Sequence, residues 1–236
     1  MNLLVQFPTL ARPEKFVQVL DKYVTTCSTW NKIFFNINCD VDDQSMTDPY
    51  IQERIKYILN KRHEVDGVIN YDKNTDKISA INSNMSNKSF DVVICASDDM
   101  VPKQYSWDQK IAEAMKKHFP GLDGCVHFDD GNTKGKLITF SILGRKLYEE
   151  FGYIYHPDYK SLYCDDEFTQ AVRAMGKEKY IDEMIISHEH YSVEGTENHG
   201  DADYAAQKTL HYSGRDQFVF NKRKELGFPK ERITND

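Results

Sequence analysis

The sequence lacks the features that mark disulfide-bonded, membrane-spanning or nucleic-acid-binding proteins. Its five cysteines are scattered, odd in number and free of Cys-x-x-Cys spacing. They therefore predict reduced thiols of a cytoplasmic-type compartment and neither a disulfide framework nor a zinc knuckle. No apolar run approaches the length of a transmembrane helix, and the N-terminus begins with a predicted strand instead of a signal peptide. A net charge of −7 argues against a nucleic-acid partner, which would normally meet a basic face.

What is present is enough for a folded α/β protein. Hydrophobic residues make up 40% of the 236 residues and aromatic residues 12%, which suffices for a core. Strand-like and amphipathic helical segments alternate along the first half, a pattern typical of a doubly wound sheet. Strands are predicted at residues 2–7, 31–38, 65–71 and 92–96, and helices from Pro13, from Pro49 and over residues 75–85.

The second half has a less regular pattern. Helices are predicted at residues 107–119, 144–151 and 164–175, and strands at 124–128, 136–143 and 184–187, with an acidic turn at 129–132. From Asp201 the chain is polar and helical, and we expect an arm that packs on the body or on a partner, with a homo-oligomer as one outcome. We therefore predict one domain over residues 1–200, with halves meeting near residue 100, and a helical extension over 201–236.

Two adjacent carboxylates, Asp98 and Asp99, follow the apolar segment 92–96 directly. The carboxyl ends of buried strands are where open α/β sheets bind ligands. Two negative charges this close repel each other unless a cation or a hydrogen-bond donor compensates them. A divalent cation shared with phosphate groups would do so. A solvated turn is the alternative, and these residues alone leave both readings open.

Two further polar clusters follow along the chain. Asp165-Asp166-Glu167 stands at the start of a predicted helix, where acidic residues also serve as ordinary dipole-compensating groups. His188-x-His190 follows the last predicted strand, and such pairs are often incidental. The order of the three clusters along one α/β chain is more informative than any one of them.

This order resembles that of the GT-A glycosyltransferases, in particular the family 2-like nucleotide-sugar transferases, across residues 2–205. Residues 7–13 are similar to the family's first strand and nucleotide-facing loop, and Lys77-Ile-Ser-Ala-Ile-Asn82 to its basic-x-x-Ala-x-Asn segment. Ser97-Asp98-Asp99 stands at the place of the D-x-D motif but lacks its first acid, so within this motif the resemblance transfers metal binding to Asp99 alone.

The resemblance implies a GT-A-type, Rossmann-like mixed sheet, mostly parallel, with helices on both faces and a C-terminal helical arm. It implies a hexosyltransferase-type enzyme that moves a sugar from a UDP- or GDP-type donor to a hydroxyl of a carbohydrate or glycan acceptor, with Mn²⁺ or Mg²⁺. The implied nucleotide-binding residues are Thr9, Arg12, Asp40, Lys77, Asn82 and Asp98. The implied metal ligands are Asp99, His188 and His190, and the implied catalytic base is Asp166, with Asp165 as the fallback.

Three other functions fit parts of the pattern. A nucleotidyltransferase would share the sheet and the carboxylates, but residues 7–13 contain no glycine for a phosphate-binding loop. A metal-dependent hydrolase would use His-x-His, but its histidines usually recur early in a chain, and no such pair is present there. A non-catalytic nucleotide-sugar-binding domain of the same fold is the third, because fold does not fix function. Trp107 would either stack on a sugar ring or belong to the core.

Overall fold

The computed structural model describes residues 1–189 and 201–232, with the backbone alone over 201–210. The predicted metal ligand His190 lies outside the described residues. The strands are β1 Asn2–Pro8, β2 Lys32–Asp40, β3 Val65–Asp72, β4 Val92–Cys95, β5 Met100–Pro102, β6 Cys125–Phe128, β7 Ile142–Gly144, β8 Glu178–Ile181 and β9 Ile186–His188. The helices are α1 Pro13–Thr26, α2 Pro49–Leu59, α3 Lys77–Asn82, α4 Trp107–His118, α5 Arg145–Phe151, α6 Cys164–Ala174 and α7 Asp201–Glu225.

Seven of these strands form one mixed sheet in the order β3-β2-β1-β4-β7-β6-β8. The first four are mutually parallel, β7 is antiparallel to both of its neighbours, and β8 is parallel to β6. The predicted mixed, mostly parallel sheet is therefore confirmed. β5 and β9 pair with each other in a separate antiparallel ribbon.

Helices cover both faces of the large sheet, as predicted. Successive side chains of β4 point to opposite faces, so Val92 and Ile94 join one core while Val93 and Cys95 join the other. The first core receives the buried residues of α1, α2 and α4, and the second receives those of α3, α5 and α6. Burial on both faces explains why the β4 sequence is continuously apolar.

The second half departs from the prediction in its strands. The strand expected over residues 136–143 is confined to Ile142–Gly144, and β5 and β8 were not predicted. The Asp130 carboxylate accepts the backbone N–H groups of Asn132 and Thr133, each at 2.8 Å, and the Thr139 hydroxyl at 2.7 Å. Such side-chain bonds hold the segment before β7 in a turn, where its backbone cannot join a strand ladder.

Helix α3 is shorter than predicted because both of its ends are fixed locally. A capping box between Asp76 and Ser79 starts it, and Ser83 ends it in an extended conformation. At the C-terminus, the part of α7 with described side chains packs on the body of the protein. The predicted domain limits and the homo-oligomer stay predictions. Within the described ranges, no helix has the length and apolar character needed to cross a membrane.

Candidate functional site

The β5–β9 ribbon brings Asp99 and His188 together. Met100 in β5 pairs with His188 in β9, and the Glu189 N–H donates to the Asp99 carbonyl oxygen at 2.7 Å. The His188 Nε2 atom lies 3.6 Å from the Asp99 Oδ2 atom, and the two side chains are 17% and 16% exposed. A carboxylate and an imidazole are thus adjacent, with part of each open to a ligand.

A turn that the sequence marked only as acidic holds the backbone of His188. The His188 N–H donates to the Asp130 carbonyl oxygen at 2.9 Å, and Asn132 Nδ2 donates to the His188 carbonyl oxygen at 2.7 Å. Both backbone groups of His188 are therefore fixed from the turn after β6. Sequence reasoning missed this support, and the only available signal was the place of the turn directly after a buried strand.

Asp99 is an ionised carboxylate at neutral pH. Burial opposes ionisation, but contacts with His188 and with the Ser97 hydroxyl hold the pKa of Asp99 well below its usual range. An oxygen and an imidazole nitrogen suit a divalent cation such as Mn²⁺. Over residues 1–189 and the described part of the C-terminus, no group of three or more His, Cys, Asp or Glu residues is arranged around a metal position. A cation at Asp99 and His188 would therefore need further ligands from substrate and water.

Asp98 is turned into the protein, toward the loop after β1. Its side chain is 1% exposed, Arg12 Nη2 lies 2.6 Å from its Oδ1 atom, and the Thr9 hydroxyl makes a long contact of 3.5 Å with Oδ2. Burial raises the pKa of Asp98 to about 6, although Arg12 opposes the rise. The Arg12 Nε atom is buried and has no hydrogen-bond partner among the described residues. Asp98 thus holds the Arg12 guanidinium in place, and the Arg12 side chain stays 17% exposed.

The other predicted nucleotide-binding residues lie in different settings. Asp40 ends β2, which is parallel to β1 and β4, so it lies at the same edge of the sheet as Asp98. Lys77 is exposed at the start of α3, and its positive charge opposes the effect of burial on the pKa values of both Asp99 and Asp165. Asn82 joins α3 to the segment after α5, because its Nδ2 atom donates to the Tyr155 carbonyl oxygen at 2.6 Å and its Oδ1 atom accepts the Ile154 N–H at 2.9 Å.

The acidic residues of the first turn of α6 face different surroundings. Burial raises the pKa values of Asp165 and Asp166. Lys77 and His188 oppose the rise at Asp165, whereas the charge of Asp165 adds to the rise at Asp166. Asp165 is therefore the residue of the pair that interacts electrostatically with Lys77 and His188. This environment favours the fallback residue of the sequence prediction over Asp166.

No protein-family model matches the sequence, and no curated protein matches it. Solved structures do. A mannosyltransferase, PcManGT, from Pyrobaculum calidifontis superposes with a TM-score of 0.66 at 11% identity, covering 94% of this chain and 64% of that one. TarS 1–349 from S. aureus gives 0.58 at 14% identity, covering 93% and 70%. Glucosyl-3-phosphoglycerate synthase from Mycobacterium tuberculosis gives 0.53 at 10% identity, covering 91% and 79%.

The chain has the GT-A glycosyltransferase fold. It spans less than two thirds of the length of the mannosyltransferase. Within this GT-A fold two sets of predicted site residues are in contact, Asp99 with His188 and Thr9 and Arg12 with Asp98.

Trp107 belongs to the core of the GT-A fold and does not line the site. Its side chain is 0% exposed. Its Nε1 atom donates to the Tyr23 carbonyl oxygen at 3.0 Å, and the two rings meet edge to face at 5.2 Å between centroids. The sugar-stacking reading of Trp107 is therefore wrong. The ring stabilises the packing of α4 against α1 instead.

Proposed function

We propose that this protein is a metal-dependent glycosyltransferase of the hexosyltransferase type. It transfers a sugar from a UDP- or GDP-type nucleotide sugar to a hydroxyl of a carbohydrate or glycan acceptor. The observation that carries the proposal is the 3.6 Å approach of His188 to Asp99 after the fourth strand. Asp165 lies close enough to this pair that the charges of Lys77 and His188 oppose its raised pKa. Five free, buried thiols support a reducing, cytoplasmic-type compartment.

The ligands of the similar structures support the donor class and the cation. PcManGT was solved with GDP-Man and Mn²⁺, TarS 1–349 with UDP-GlcNAc, and glucosyl-3-phosphoglycerate synthase with Mg²⁺ and UDP. In this chain Asp99 and His188 would hold Mn²⁺ or Mg²⁺. A bound cation supplies Lewis-acid neutralisation of the charge that develops on the leaving diphosphate.

The chain's own side chains would do the rest. Lys77 adds positive charge beside the leaving diphosphate, and the partly exposed Arg12 guanidinium, held by Asp98, adds a second positive charge. Thr9 and Asp40 bind the nucleoside at the carboxyl edge of the sheet. Asp165 accepts the proton of the acceptor hydroxyl as the new bond to the sugar forms, which typically contributes about 10²–10⁴-fold to the rate. Burial favours this role because it raises the pKa of Asp165.

Ligand-induced thermal stabilisation tests the proposal, because a ligand that binds the folded state raises its melting temperature. UDP-, GDP- and CMP-sugars would be screened with and without Mn²⁺, and the stabilising donor would then be tested for release of nucleoside diphosphate. We expect cation-dependent stabilisation by one donor class and its loss in Asp99→Asn. The control Asp66→Asn changes an exposed aspartate in β3 and should retain stabilisation.

Each other outcome identifies a different function. Stabilisation without release of nucleoside diphosphate, in the presence of a panel of sugar acceptors, would indicate the non-catalytic binding domain. Release of pyrophosphate would indicate the nucleotidyltransferase. Absence of stabilisation by every nucleotide sugar would contradict the proposal.

A further inference from the structure

The C-terminal helix α7 contacts α6 and the segment that leads into it. We call these contacts the α7 grip: Asp216 with residues 160–162, and Arg223 with Glu167. Asp216 is 0% exposed, and its Oδ2 atom accepts the backbone N–H groups of Ser161 at 2.8 Å and Leu162 at 2.9 Å. The Lys160 N–H lies 3.1 Å from its Oδ1 atom. One buried carboxylate of α7 therefore binds three successive N–H groups just before α6 begins.

A second buried side chain of α7 grips the first turn of α6 itself. Arg223 is 0% exposed and forms a bidentate pair with Glu167, with Nε 2.7 Å from Oε2 and Nη2 2.8 Å from Oε1. The Tyr159 hydroxyl donates to the same carboxylate at 2.7 Å. The Arg223 guanidinium also donates to the carbonyl oxygens of Pro229 at 2.5 Å and Glu231 at 3.2 Å. The Arg223 side chain thus joins the segment after α7 to the first turn of α6.

The geometry of α6 relates the α7 grip to the direction of the Asp165 side chain. Residues two positions apart on an α-helix point about 200° apart, since each residue advances about 100°. Glu167 faces Arg223, so Asp165 points to the opposite side, toward Lys77 and His188. The N-cap residue Tyr163 offers no side-chain cap and has φ of +62°. The first turn of α6 therefore lacks a side-chain cap of its own, and the contacts from α7 add polar anchors to the core packing of Cys164 and Phe168.

We propose that Arg223 and Asp216 are positioning residues, through which the C-terminal arm holds the first turn of α6 so that Asp165 faces the donor. The inference rests on the proposed function, because Asp165 is its catalytic base. The bidentate geometry supports it: a buried ion pair adds little net stability over apolar packing, whereas a planar guanidinium fork fixes direction. The arm is then required for the transfer step and not for binding of the donor, because the proposed contacts of Thr9, Arg12 and Asp98 lie on the loops after β1 and β4.

The test compares conservative changes at the grip with a matched change on the same helix. Arg223→Lys keeps the charge but loses the fork, and Glu167→Gln weakens the same contact from the other side. Lys224→Gln removes a charge from the neighbouring exposed position of α7. We expect kcat for nucleoside diphosphate release to fall at least about tenfold in the first two variants, since misplacement of about 1 Å can cost 10²-fold. The Kd of the donor should stay within about twofold of the control.

Several results would overturn the inference. A kcat equal to that of Lys224→Gln would show that the grip does not position the base. An equal loss of kcat and donor affinity would show a general structural role. If Arg223→Lys does not fold, Glu167→Gln and Asp216→Asn provide the same comparison from the other two contacts.

Hydrogen–deuterium exchange separates failure of this inference from failure of the proposed function. In the Arg223→Lys and Glu167→Gln proteins, peptides covering residues 160–168 should lose protection while the four parallel strands keep theirs. Unchanged exchange over 160–168 would overturn the grip whatever the activity. Lost protection over 160–168, together with no sugar transfer by the unmodified protein, would overturn the proposed function and leave the grip established.

Discussion

Asp99 and His188 lie 3.6 Å apart, although one follows the fourth strand and the other ends the ninth. Pairing of Met100 with His188 in the β5–β9 ribbon is what joins them. The Asp130 turn then holds the backbone of His188 from the other side. The backbone of His188 is therefore fixed from two sides, and removal of its imidazole should affect ligand binding without disturbing the large sheet.

The first prediction concerns this imidazole. His188→Gln should weaken Mn²⁺-dependent donor binding at least about tenfold, because it removes a nitrogen ligand that suits a divalent cation. Calorimetric titration of the donor, with and without Mn²⁺, measures the effect. His63→Gln is the control, since His63 is 86% exposed. Equal cation dependence in both variants would show that His188 does not contact the cation.

The second prediction concerns the base. Asp165→Asn should reduce sugar transfer by about 10²-fold or more while leaving the donor Kd unchanged, because the amide cannot accept the acceptor proton. Asp166→Asn should have a smaller effect, since Asp165 is the member of the pair that faces Lys77 and His188. Steady-state rates with saturating donor measure both. Full transfer by both variants would favour a retaining mechanism in which the acceptor proton goes to the leaving phosphate.

The third prediction follows from the raised pKa of Asp98. Its pKa rises from 3.8 to about 6 on folding, so the folded state favours the protonated carboxyl. The stabilisation from this group is therefore complete below pH 4 and is lost as the pH rises through about 6. The full change is about 3 kcal/mol, at about 1.4 kcal/mol per unit.

Urea unfolding of the metal-free protein at several pH values measures this dependence. The stability advantage of the unmodified protein over Asp98→Asn should be about 2.4 kcal/mol larger at pH 4 than at pH 7, since the titration of distant groups cancels in the difference. A difference that does not change with pH would contradict the raised pKa of Asp98.

The fourth prediction concerns stability away from the site. The Asp108 carboxylate is 0% exposed and accepts the Ser28 N–H at 2.7 Å, the Ser28 hydroxyl at 2.6 Å and Asn31 Nδ2 at 2.8 Å. Asp108→Ala leaves these donors without their acceptor and should lower the free energy of unfolding by about 3 kcal/mol. Urea unfolding measures the loss, and Glu113→Ala, at an exposed position of α4, should cost less than about 0.5 kcal/mol. Similar costs for the two variants would contradict the importance of the buried carboxylate.

The sequence by itself predicted the class of the sheet and the coverage of both faces. Continuous apolar runs such as Val92–Cys95 and helical spacing after Pro13 are local patterns, and each records which faces of its own element are buried. The place of Asp98 and Asp99 after a buried strand was visible for the same reason. The local pattern predicted too long a strand before Gly144, because side chains such as Asp130 compete with the backbone for its hydrogen bonds there.

Only the tertiary structure decided which side chains meet. The approach of His188 to Asp99 depends on β5, a three-residue strand containing Pro102 that pairs with a distant segment and has no strand-like pattern. The proposed choice of Asp165 over Asp166 depends on the side of α6 that each residue occupies, and Glu167, on the opposite side from Asp165, meets Arg223. Trp107 became a core residue because α4 packs on Tyr23. Residue spacing records the burial of one element, whereas these contacts arise between elements, and their positions follow from the packing of the whole chain.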